Sequence, residues 1–567
     1  MKPQLVFAAL PFALGMVIAF LTPVHLHPLR SYFNDLAIIL GLLFSIWMAA
    51  GTAGFRWRLN VIVAGFASMV PLIWLQYGLA NHQAWYDLLL PSVYFVLAAF
   101  AVMLGAGCAS DTEQSERLCL VLAIALLLAG LVSVLIQIVQ SMGWYLGPLL
   151  MYMGKSDVFQ RPYANLAQPN QLALVLSFSL AACWFLYREA RLSRGFALAF
   201  SLILLAGLVV TQSRIGWIIV PAFAMVLSLP DADGRRLHPA TALSLLAVYA
   251  ASVLLLPHLV AAAGMSGASL VDHVVGNRSE RIGLWKQAWQ LAQTHPWAGV
   301  GWFGFGAGQV QVAAELPSTN YAEHAHNLLL NFAAEMGIPL TLFMAGGLLW
   351  WCWHTCVRTS QSPFIRFAGL CLIATAVHSM VEFPLWYAYI LLPVAFIMGM
   401  LHERRWPVSG YAVPAFYLRM LVIFALLAAA LLTWDYMRVV RAFKVLRVDP
   451  VANQQQSQLQ QPAYTVFPQF YAYFHLFEIQ PRAGMSDAEI DELRFWVERF
   501  GFVHNLNKLA EVYVLNQRPD EGVRAMHTLQ RLHPTAYVEY FDYWQAKARQ
   551  EPAFQAVIDR IPARDAP

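Results

Sequence analysis

Two histidines, His324 and His326, stand where a long polar segment runs into an apolar one, within the sequence Glu-His-Ala-His-Asn that begins at Glu323. Only 12% of the chain is charged, so two titratable groups at such a boundary are unusual. Histidine, with an unperturbed pKa of about 6.5, can accept a proton from a hydroxyl group near neutral pH. The alternative is a neutral histidine packed against alanine and leucine, and spacing alone leaves open which of the two would be the base.

Arginines supply a second kind of chemistry. The side chains of Arg214, Arg278 and Arg281 can each bind phosphate oxygens through two N–H groups, and they stay charged at any working pH. Combined with a histidine base, they favour transfer of a group from a diphosphate carrier to an alcohol. No Asp/Glu cluster with metal-ligand spacing accompanies them, so we expect no metal and no cofactor, with arginine stabilising the leaving group.

The overall composition is typical of a membrane protein. The 567 residues are 59% hydrophobic and have a mean hydropathy of +0.55, whereas ordinary soluble domains carry about 25% charged residues. We therefore predict an all-α polytopic membrane protein. The net charge of +4 is too small to indicate nucleic-acid binding. The six cysteines lie in or beside apolar segments and imply no disulfide framework.

Thirteen apolar runs are long enough to cross the hydrocarbon core, which requires about 17 to 25 residues. They fall at residues 4–23, 34–53, 59–78, 87–108, 117–140, 170–187, 194–211, 214–230, 239–257, 326–353, 364–381, 384–401 and 417–435. The first run has no small-residue cleavage site and is followed by further spans, so we expect it to be retained as an anchor.

The placement of arginines predicts the orientation of these spans, because cytoplasmic connections are enriched in Lys and Arg. Alternate connections hold most of the basic residues, namely Arg56, Arg58, Arg117, Arg188, Arg191, Arg194, Arg235, Arg236, Arg358, Arg366, Arg404 and Arg405. The N-terminus is therefore predicted to lie inside the cell, and the tail from residue 436 on the outer, periplasmic side of the membrane.

The chain is predicted to form two domains. Residues 1–435 hold the spans and a large outer loop over about 257–325, and residues 436–567 form a polar tail. Within the tail, residues 507–534 have helical periodicity interrupted by a turn at Pro519. This segment resembles one tetratricopeptide helix pair, although a single pair cannot bury its own core. We predict a small helical domain outside the membrane.

Several polar side chains cluster at the predicted outer ends of the spans. Ionisable groups at membrane depth are costly, and each is therefore a functional candidate. A single arginine there can instead reach a lipid headgroup, but this set converges on one side from five segments. Its members are Arg161, Gln168, Asn170, Gln212, Arg214, Arg278, Arg281, His324, His326, Glu382, Tyr387 and Tyr389.

Two other sequence patterns resemble nucleotide-binding motifs. Residues 299–304 match G-x-G-x-x-G, but no βαβ unit surrounds them, so they do not indicate a dinucleotide site. Their glycines are better explained by close approach of a loop backbone to a ligand or a membrane surface. Asp231 and Asp233 form a D-x-D pair, but their connection is too short to carry a nucleotide-binding domain.

Taken in order, six stretches resemble the O-antigen ligase and polymerase superfamily, and within it the bacterial protein O-oligosaccharyltransferases, also called pilin glycosylation ligases. The stretches are Arg161–Pro162 with residues 167–171, Thr211–Arg214, Arg278–Arg281 with Trp285, His295–Trp297 with the following glycines, Glu323–Asn327, and Val381–Tyr387. The histidine motif of the family, H-[NS]-x9-G-x-x-G, is matched from His326 through Gly337, with Leu340 at the second glycine position.

The resemblance implies a donor glycan on undecaprenyl pyrophosphate, presented at the periplasmic face of a bacterial inner membrane. It implies that His326 activates the acceptor hydroxyl and that Arg214, Arg278 and Arg281 bind the pyrophosphate. The remaining residues of the set are expected to contact acceptor or sugar: Arg161, Gln168, Asn170, His324, Glu382 and Tyr387. Single displacement by the acceptor would invert the anomeric carbon.

The expected acceptor is a Ser or Thr hydroxyl of a periplasmic or pilin-like protein. This choice follows from the tail, because lipopolysaccharide ligases generally end soon after their last span.

The alternative is an O-antigen ligase that transfers the glycan to lipid A core. A transporter is a further alternative, although the central halves of the spans are nearly free of ionisable residues. The last alternative is a membrane anchor that binds a partner through its tail. The expected partners are the lipid-linked oligosaccharide, the acceptor protein and membrane lipid, without nucleic acid.

Overall fold

A computed structural model describes residues 6–79, 84–154, 160–262, 270–359, 361–447 and 456–564. At residues 112, 257, 260–262, 270–280 and 456 it describes the backbone alone. The predicted all-α class is confirmed, since the described ranges contain no strand and only one isolated bridge, between Trp57 and Tyr411.

Sixteen helices precede the polar tail in these ranges. They are α1 (Val6–Leu21), α2 (Tyr32–Gly51), α3 (Val61–Leu79), α4 (Leu89–Cys108), α5 (Thr112–Ser141), α6 (Pro169–Arg188), α7 (Arg194–Val210), α8 (Gly216–Ser228), α9 (Pro239–Ala262), α10 (Leu270–Thr294), α11 (Phe305–Val312), α12 (Leu328–Met336), α13 (Ile338–Cys352), α14 (Pro363–Ser379), α15 (Ala388–Arg405) and α16 (Ala415–Arg447).

Eight helices in the described part of the chain are long and apolar enough to cross a membrane, and the protein is an integral membrane protein. They are α2, α3, α4, α5, α6, α9, α13 and α16. Four shorter apolar helices, α1, α7, α8 and α14, accompany them. The total of thirteen spans and their orientation stay predictions.

The chain divides into two compact units. The first unit comprises Met1–Val70, Ser92–His273 and Gly347–Leu431. The second unit comprises Pro71–Pro91, Val274–Gly346 and Leu432–Pro567. The tail thus shares a unit with part of the long loop, and the domain boundary at residue 435 stays a prediction.

Helix α6 lies at the centre of the first unit, where it packs against α5, α7 and α14. Its side chains are buried in an almost continuous run from Gln171 to Ser179. An apolar helix that is buried on all sides is expected inside a bundle rather than facing lipid. Because α6 is enclosed in this way, the residues at its first turn are held in place by three neighbours.

Helices α4 and α15 cross backbone to backbone in the first unit. A Cβ atom added to Gly399 would lie 2.1 Å from the carbonyl oxygen of Val102, and one added to Gly105 would lie 2.2 Å from that of Phe396. No side chain fits at either position, since real Cβ contacts are never this short. The crossing therefore depends on two glycines that face each other's helix.

The prediction of one continuous span over residues 326–353 is wrong at its beginning. Helix α12 ends at Met336, and the spanning helix α13 begins at Ile338. Between them Gly337 has a φ of +87°, and a Cβ there would lie 2.3 Å from the carbonyl oxygen of Trp297. The N–H of Ile338 donates to the carbonyl of Pro296 at 2.8 Å. The apolar composition continues through this break, which explains why hydropathy missed it.

The long loop predicted over about 257–325 contains helices α10 and α11 rather than irregular structure alone. In α10 the buried positions Leu284, Ala288 and Leu291 follow helical spacing and form a small core with Phe305. The polar residues between them lowered the apparent hydropathy of the segment. Residues 263–269 of the loop lie outside the described ranges.

The tail is helical, as predicted. Helix α16 continues past the predicted end of its span at residue 435, and six helices follow within residues 456–564: α17 (Pro468–Glu478), α18 (Asp487–Arg499), α19 (Val503–Leu515), α20 (Pro519–Leu532), α21 (Pro534–Ala548) and α22 (Pro552–Ile558). The turn predicted at Pro519 separates the closely packed pair α19 and α20. These helices share one core with Val310 and Ala313. The tetratricopeptide resemblance stays a prediction.

Replacing Gly399 by valine is expected to force α4 and α15 apart and to lower the free energy of unfolding by at least about 2 kcal/mol. The measurement is thermal or denaturant unfolding of the purified protein in detergent. Gly347→Val is the matched control, because that helical glycine has no atom within 4 Å of an added Cβ. Equal stability of the two variants would contradict the close crossing.

Candidate active site

The two histidines of the 323–327 loop occupy different environments in the second unit. His324 is 8% exposed, and its ring meets the ring of Phe303 edge to face at 5.3 Å. Burial, reinforced by the charges of His326 and Arg499, lowers the pKa of His324 to about 3. His326 is only half-buried. At neutral pH His324 is therefore an uncharged, enclosed imidazole, whereas His326 is accessible.

Two asparagines shape the backbone around His326. The side-chain oxygen of Asn327 caps α12 by accepting from the N–H of Leu330 at 3.0 Å, as expected for an N-cap residue. The side-chain oxygen of Asn331 accepts from the N–H of Ala325 at 2.9 Å. His326 itself has a φ of +50°, which is uncommon for a residue with a side chain. Hydrogen bonds on both sides thus hold His326 in an unusual backbone conformation.

The glycine-rich turn of residues 299–304 wraps the end of α12. The N–H of Val300 donates to the carbonyl of Ala334 at 2.8 Å, and that of Gly301 donates to the carbonyl of Glu335 at 3.0 Å. Gly299, at a φ of +68°, would place a Cβ 2.3 Å from the carbonyl carbon of Glu335. The interpretation that these glycines approach a ligand or a membrane is corrected, because they approach the chain's own backbone.

A carboxyl group lies buried under this turn. Glu335 is fully buried, and one of its oxygens accepts from the N–H of Phe305 at 3.3 Å. Burial raises the pKa of Glu335 to about 8, although the N–H groups of Phe303 and Phe305 oppose this shift. Glu335 is therefore mainly protonated at neutral pH, and it joins the turn to the helix that follows the histidines.

An arginine of the tail reaches the same loop. Arg499, at the end of α18, contacts both carboxylate oxygens of Asp87, at 3.0 and 3.1 Å. Its third nitrogen lies 3.3 Å from a carboxylate oxygen of Glu323. Burial lowers the pKa of Arg499, but the two carboxylates outweigh burial and raise it above the ordinary value. The residue that precedes His324 is thus paired with the tail.

In the first unit, three predicted residues are joined by hydrogen bonds. The side-chain oxygen of Asn170 accepts from Arg161 at 3.0 Å and from the hydroxyl of Ser213 at 2.9 Å. The amide nitrogen of Asn170 donates to Glu382 at 2.8 Å. Arg161 also donates to the carbonyl of Thr211 at 2.8 Å. The structure therefore brings Arg161, Asn170 and Glu382 together at the first turn of α6.

The other predicted residues of the first unit lie near that network in the chain. Tyr387 stacks on Phe383 at 5.9 Å, next to Tyr389. Gln168 occupies the N-cap position of α6 without capping it through its side chain. Arg214 is half-buried and lies in the turn before α8, one residue after Ser213.

The predicted arginines of the long loop lie on α10 in the second unit. Arg281 is half-buried. Arg278 lies on the same helix, and its side chain is outside the described part of the chain. Among the described residues, no group of three or more His, Cys, Asp or Glu side chains is placed to hold a metal ion.

The D-x-D pair has a structural role in the first unit. Arg188 contacts Asp231 at 2.7 Å and Asp233 at 2.6 Å. Asp231 also accepts from the backbone N–H groups of Asp233 and Arg235. These ion pairs join the end of α6 to the connection between α8 and α9.

Two family matches cover the central and C-terminal parts of the chain. Residues 199–345 match the O-antigen ligase family. Residues 367–549 match the family described as virulence factor membrane-bound polymerase, C-terminal. The chain belongs to the O-antigen ligase superfamily. The first match contains the histidine loop and α10, and the second contains Glu382, Tyr387 and Arg499.

Two proteins of Acinetobacter baylyi are similar to this superfamily member. A general O-oligosaccharyltransferase is 23% identical over 540 residues, which cover 92% of this chain and 91% of the relative. A ComP-specific O-oligosaccharyltransferase is 25% identical over 262 residues, which cover 45% of this chain and 46% of that relative. The predictions of a glycosyltransferase and of an O-oligosaccharyltransferase of the ligase superfamily are confirmed.

Sequence reasoning missed several residues that organise these two regions of the protein. In the first unit, Asp35 accepts from the N–H of Tyr389 at 3.1 Å and so caps α15. In the second unit, the missed residues are Asp87, Asn331, Glu335 and Arg499. Asn331 and Glu335 follow Asn327 at spacings of four and eight residues, a helical pattern that could have found them. No local signal connects Asp87 with Arg499, which lie 412 positions apart.

Replacing Glu335 by glutamine is expected to change how the stability of this protein depends on pH. Because the folded state raises the pKa of Glu335 from 4.5 to about 8, its protonation stabilises the fold fully below about pH 4.5. That contribution is lost as pH rises through about 8, a change on the order of 5 kcal/mol. The glutamine amide mimics the protonated acid and should remove this loss, as measured by unfolding across the pH range. An unchanged alkaline loss in Glu335→Gln would contradict a protonated Glu335.

Proposed function

We propose that this protein transfers an oligosaccharide from undecaprenyl pyrophosphate to Ser or Thr hydroxyls of proteins at the periplasmic face of the bacterial inner membrane. Similarity over 92% of the chain to a general O-oligosaccharyltransferase supports protein O-glycosylation as the general activity. The carrier lipid, the pilin-like acceptor and the orientation, with a cytoplasmic N-terminus, belong to the proposal. The observation that carries the mechanism is the difference between the two histidines.

His326 is the proposed base. A general base must be accessible to the hydroxyl it deprotonates and must be unprotonated at working pH. His324 is enclosed against Phe303, and its low pKa makes it a weak base. His326 lies two residues away, is half-buried and is held by hydrogen bonds on both sides. His324 is better suited to shaping the loop, so its predicted contact with acceptor or sugar is the less supported of the two roles.

The proposed reaction is a single displacement. His326 takes the proton of the acceptor hydroxyl, and the hydroxyl oxygen forms a bond to the anomeric carbon. The bond from that carbon to the pyrophosphate oxygen breaks, and its electron pair leaves with undecaprenyl pyrophosphate. Arg214, Arg278 and Arg281 are the proposed ligands of the pyrophosphate, since guanidinium groups stabilise the developing charge without a metal. The anomeric configuration is expected to invert.

The network at the first turn of α6 is the proposed contact surface for sugar or acceptor hydroxyls. Amide, carboxylate and guanidinium groups together offer both donors and acceptors, which suits a polyhydroxylated ligand. Arg161, Asn170 and Glu382 already hold one another in place, so their orientation does not have to be created when ligand binds. Gln168 and Tyr387, which flank the network in the chain, are proposed as further contacts.

The central prediction is that His326→Ala abolishes glycan transfer by the purified protein in detergent. The assay supplies undecaprenyl-pyrophosphate oligosaccharide with a pilin-like protein or lipid A core as acceptor. We expect pilin to be glycosylated by wild type and the rate to fall by about 100-fold or more in His326→Ala. His324→Ala is expected to reduce thermal stability and to retain measurable transfer.

His475→Ala is the matched control, because this histidine of the second unit has a side chain that is 62% exposed. Transfer to lipid A core alone would favour the ligase reaction, for which the match of residues 199–345 is the supporting observation. Full activity of His326→Ala would overturn the assignment of the base.

Replacing Asn170 by alanine is expected to lower kcat/KM about 10-fold or more, because Arg161 and Glu382 lose the amide that joins them. The measurement is the same transfer assay with donor and acceptor varied in turn. Asn60→Ala is the matched control. Asn60 caps α3 through Ile62 and Val63, so its loss should cost about 1 kcal/mol of stability and leave kcat/KM unchanged. Identical kinetics for the two variants would remove the network from the proposed site.

A further inference from the structure

We propose that Arg499 is a positioning residue for glycan transfer and that, through it, the C-terminal tail holds the histidine loop in its working geometry. This inference rests on the proposed role of His326. It assigns to the tail an indirect part in the reaction, the positioning of the histidine loop, in addition to any contact that the tail makes with an acceptor.

The contacts of Arg499 join three distant parts of the second unit. Its guanidinium binds Asp87 through two nitrogens and Glu323 through the third. These partners lie 412 and 176 positions away in the sequence. The arginine side chain is 13% exposed and that of Asp87 is 11% exposed. Such enclosed charges are stable only when they are paired with good geometry, so this junction tolerates few alternative arrangements.

The same guanidinium reaches His324 through an aromatic ring. It lies over the ring of Phe303, 4.9 Å from the centroid, and that ring meets His324 edge to face. The attraction of a cation for a ring face is strongest when both are removed from water. Phe303 has a φ of +62° and belongs to the turn that wraps α12. Arg499 therefore supports the histidine loop in two ways, through the rings of Phe303 and His324 and through the carboxylate of Glu323.

A third attachment involves the backbone of the same arginine. The hydroxyl of Tyr321 donates to the carbonyl oxygen of Arg499 at 3.1 Å. The N–H groups of Thr319 and Tyr321 donate to carbonyls of α20, at Arg531 and Leu532. The segment leading to His326 is thus attached to the tail at Thr319, Tyr321 and Glu323. Beyond His326 it is attached to α12.

The expected consequence of losing Arg499 concerns both position and charge. A displacement of about 1 Å at a reacting group can cost about 100-fold in rate. The carboxylate of Glu323 would also lose its cationic partner one residue from His324 and three from His326. Lysine can restore the charge, but it cannot contact two carboxylates and cover a ring as a planar guanidinium does.

The test compares Arg499→Ala, Arg499→Lys and Arg494→Ala in the full-length purified protein. Arg494 is the matched control, because it lies on the same helix, is 51% exposed and pairs with nearby Asp491. The first measurement is kcat across pH for glycan transfer. We expect about 100-fold lower kcat in Arg499→Ala. We also expect the acid limb of the profile, where kcat falls as pH decreases, to move to higher pH, because a positive charge is lost and Glu323 is left to favour imidazolium.

The conservative and double variants separate charge from position. Arg499→Lys should keep the acid limb of wild type and recover only part of kcat. Adding Glu323→Gln to Arg499→Ala should return the acid limb towards wild type without restoring kcat. A loss of stability alone would not shift the acid limb of the pH profile. Glu323→Gln would then have no shift to reverse. If Arg499→Ala does not fold, Arg499→Lys and the single variant Glu323→Gln carry the same comparison.

The second measurement is hydrogen exchange of the peptide that covers residues 318–327, which does not depend on catalysis. We expect faster exchange there in Arg499→Ala and unchanged exchange in Arg494→Ala. Wild-type exchange, kcat and pH profile in Arg499→Ala would overturn the positioning role. Full transfer by His326→Ala, with faster exchange in Arg499→Ala, would instead overturn the proposed base and leave the attachment of the loop intact.

Discussion

Contact between two stretches of backbone, the glycine-rich turn of residues 299–304 and the end of α12, constrains most of the second unit. Gly299 and Gly337 approach carbonyl groups so closely that no side chain fits at either position. The hydrogen bonds from Val300 and Gly301 use carbonyls at the end of α12 that lack intrahelical partners. Because this contact ends α12 at Met336, it separates the short helix that follows the histidine loop from the spanning helix α13, which begins at Ile338.

Several ion pairs in this low-charge chain connect helices and loops whose relative position hydrophobic packing alone would not fix. Arg188 links the end of α6 to the connection after α8 through two aspartates. Arg58 pairs with Glu403 at 2.9 Å in the same unit, and Arg499 joins the tail to Asp87 and Glu323 in the other. The arginine of each pair is enclosed, and removing its partners leaves an uncompensated charge. The role of these ion pairs is better described as specifying one arrangement of the elements that they connect.

The two units contribute different chemistry to the proposed transferase. The second unit holds an accessible imidazole beside an enclosed, uncharged one, so neighbouring histidines have distinct roles set by burial. The first unit holds a preformed network of amide, carboxylate and guanidinium groups at the first turn of its most enclosed helix. Each of the two family matches covers part of both units, so membership of the O-antigen ligase superfamily extends to both regions.

The sequence by itself determined the all-α class, the apolar helices, the helical tail and the superfamily. The first three depend on local periodicity and on hydropathy summed over about 20 residues. The superfamily was indicated by the resemblance of six ordered stretches. It also placed His324 and His326 at a structural boundary and gathered Arg161, Asn170 and Glu382 into one candidate set, because polar residues beside apolar spans are rare.

Only the tertiary structure decided which histidine is enclosed, where α12 ends, and which groups hold the loop. The break at Gly337 has no hydropathy signal, since apolar residues continue on both sides of it. The partners of Arg499 lie 412 and 176 positions away. Burial, pairing and pKa arise from the neighbours that a fold brings together, and no local pattern around His326 records which neighbours those are.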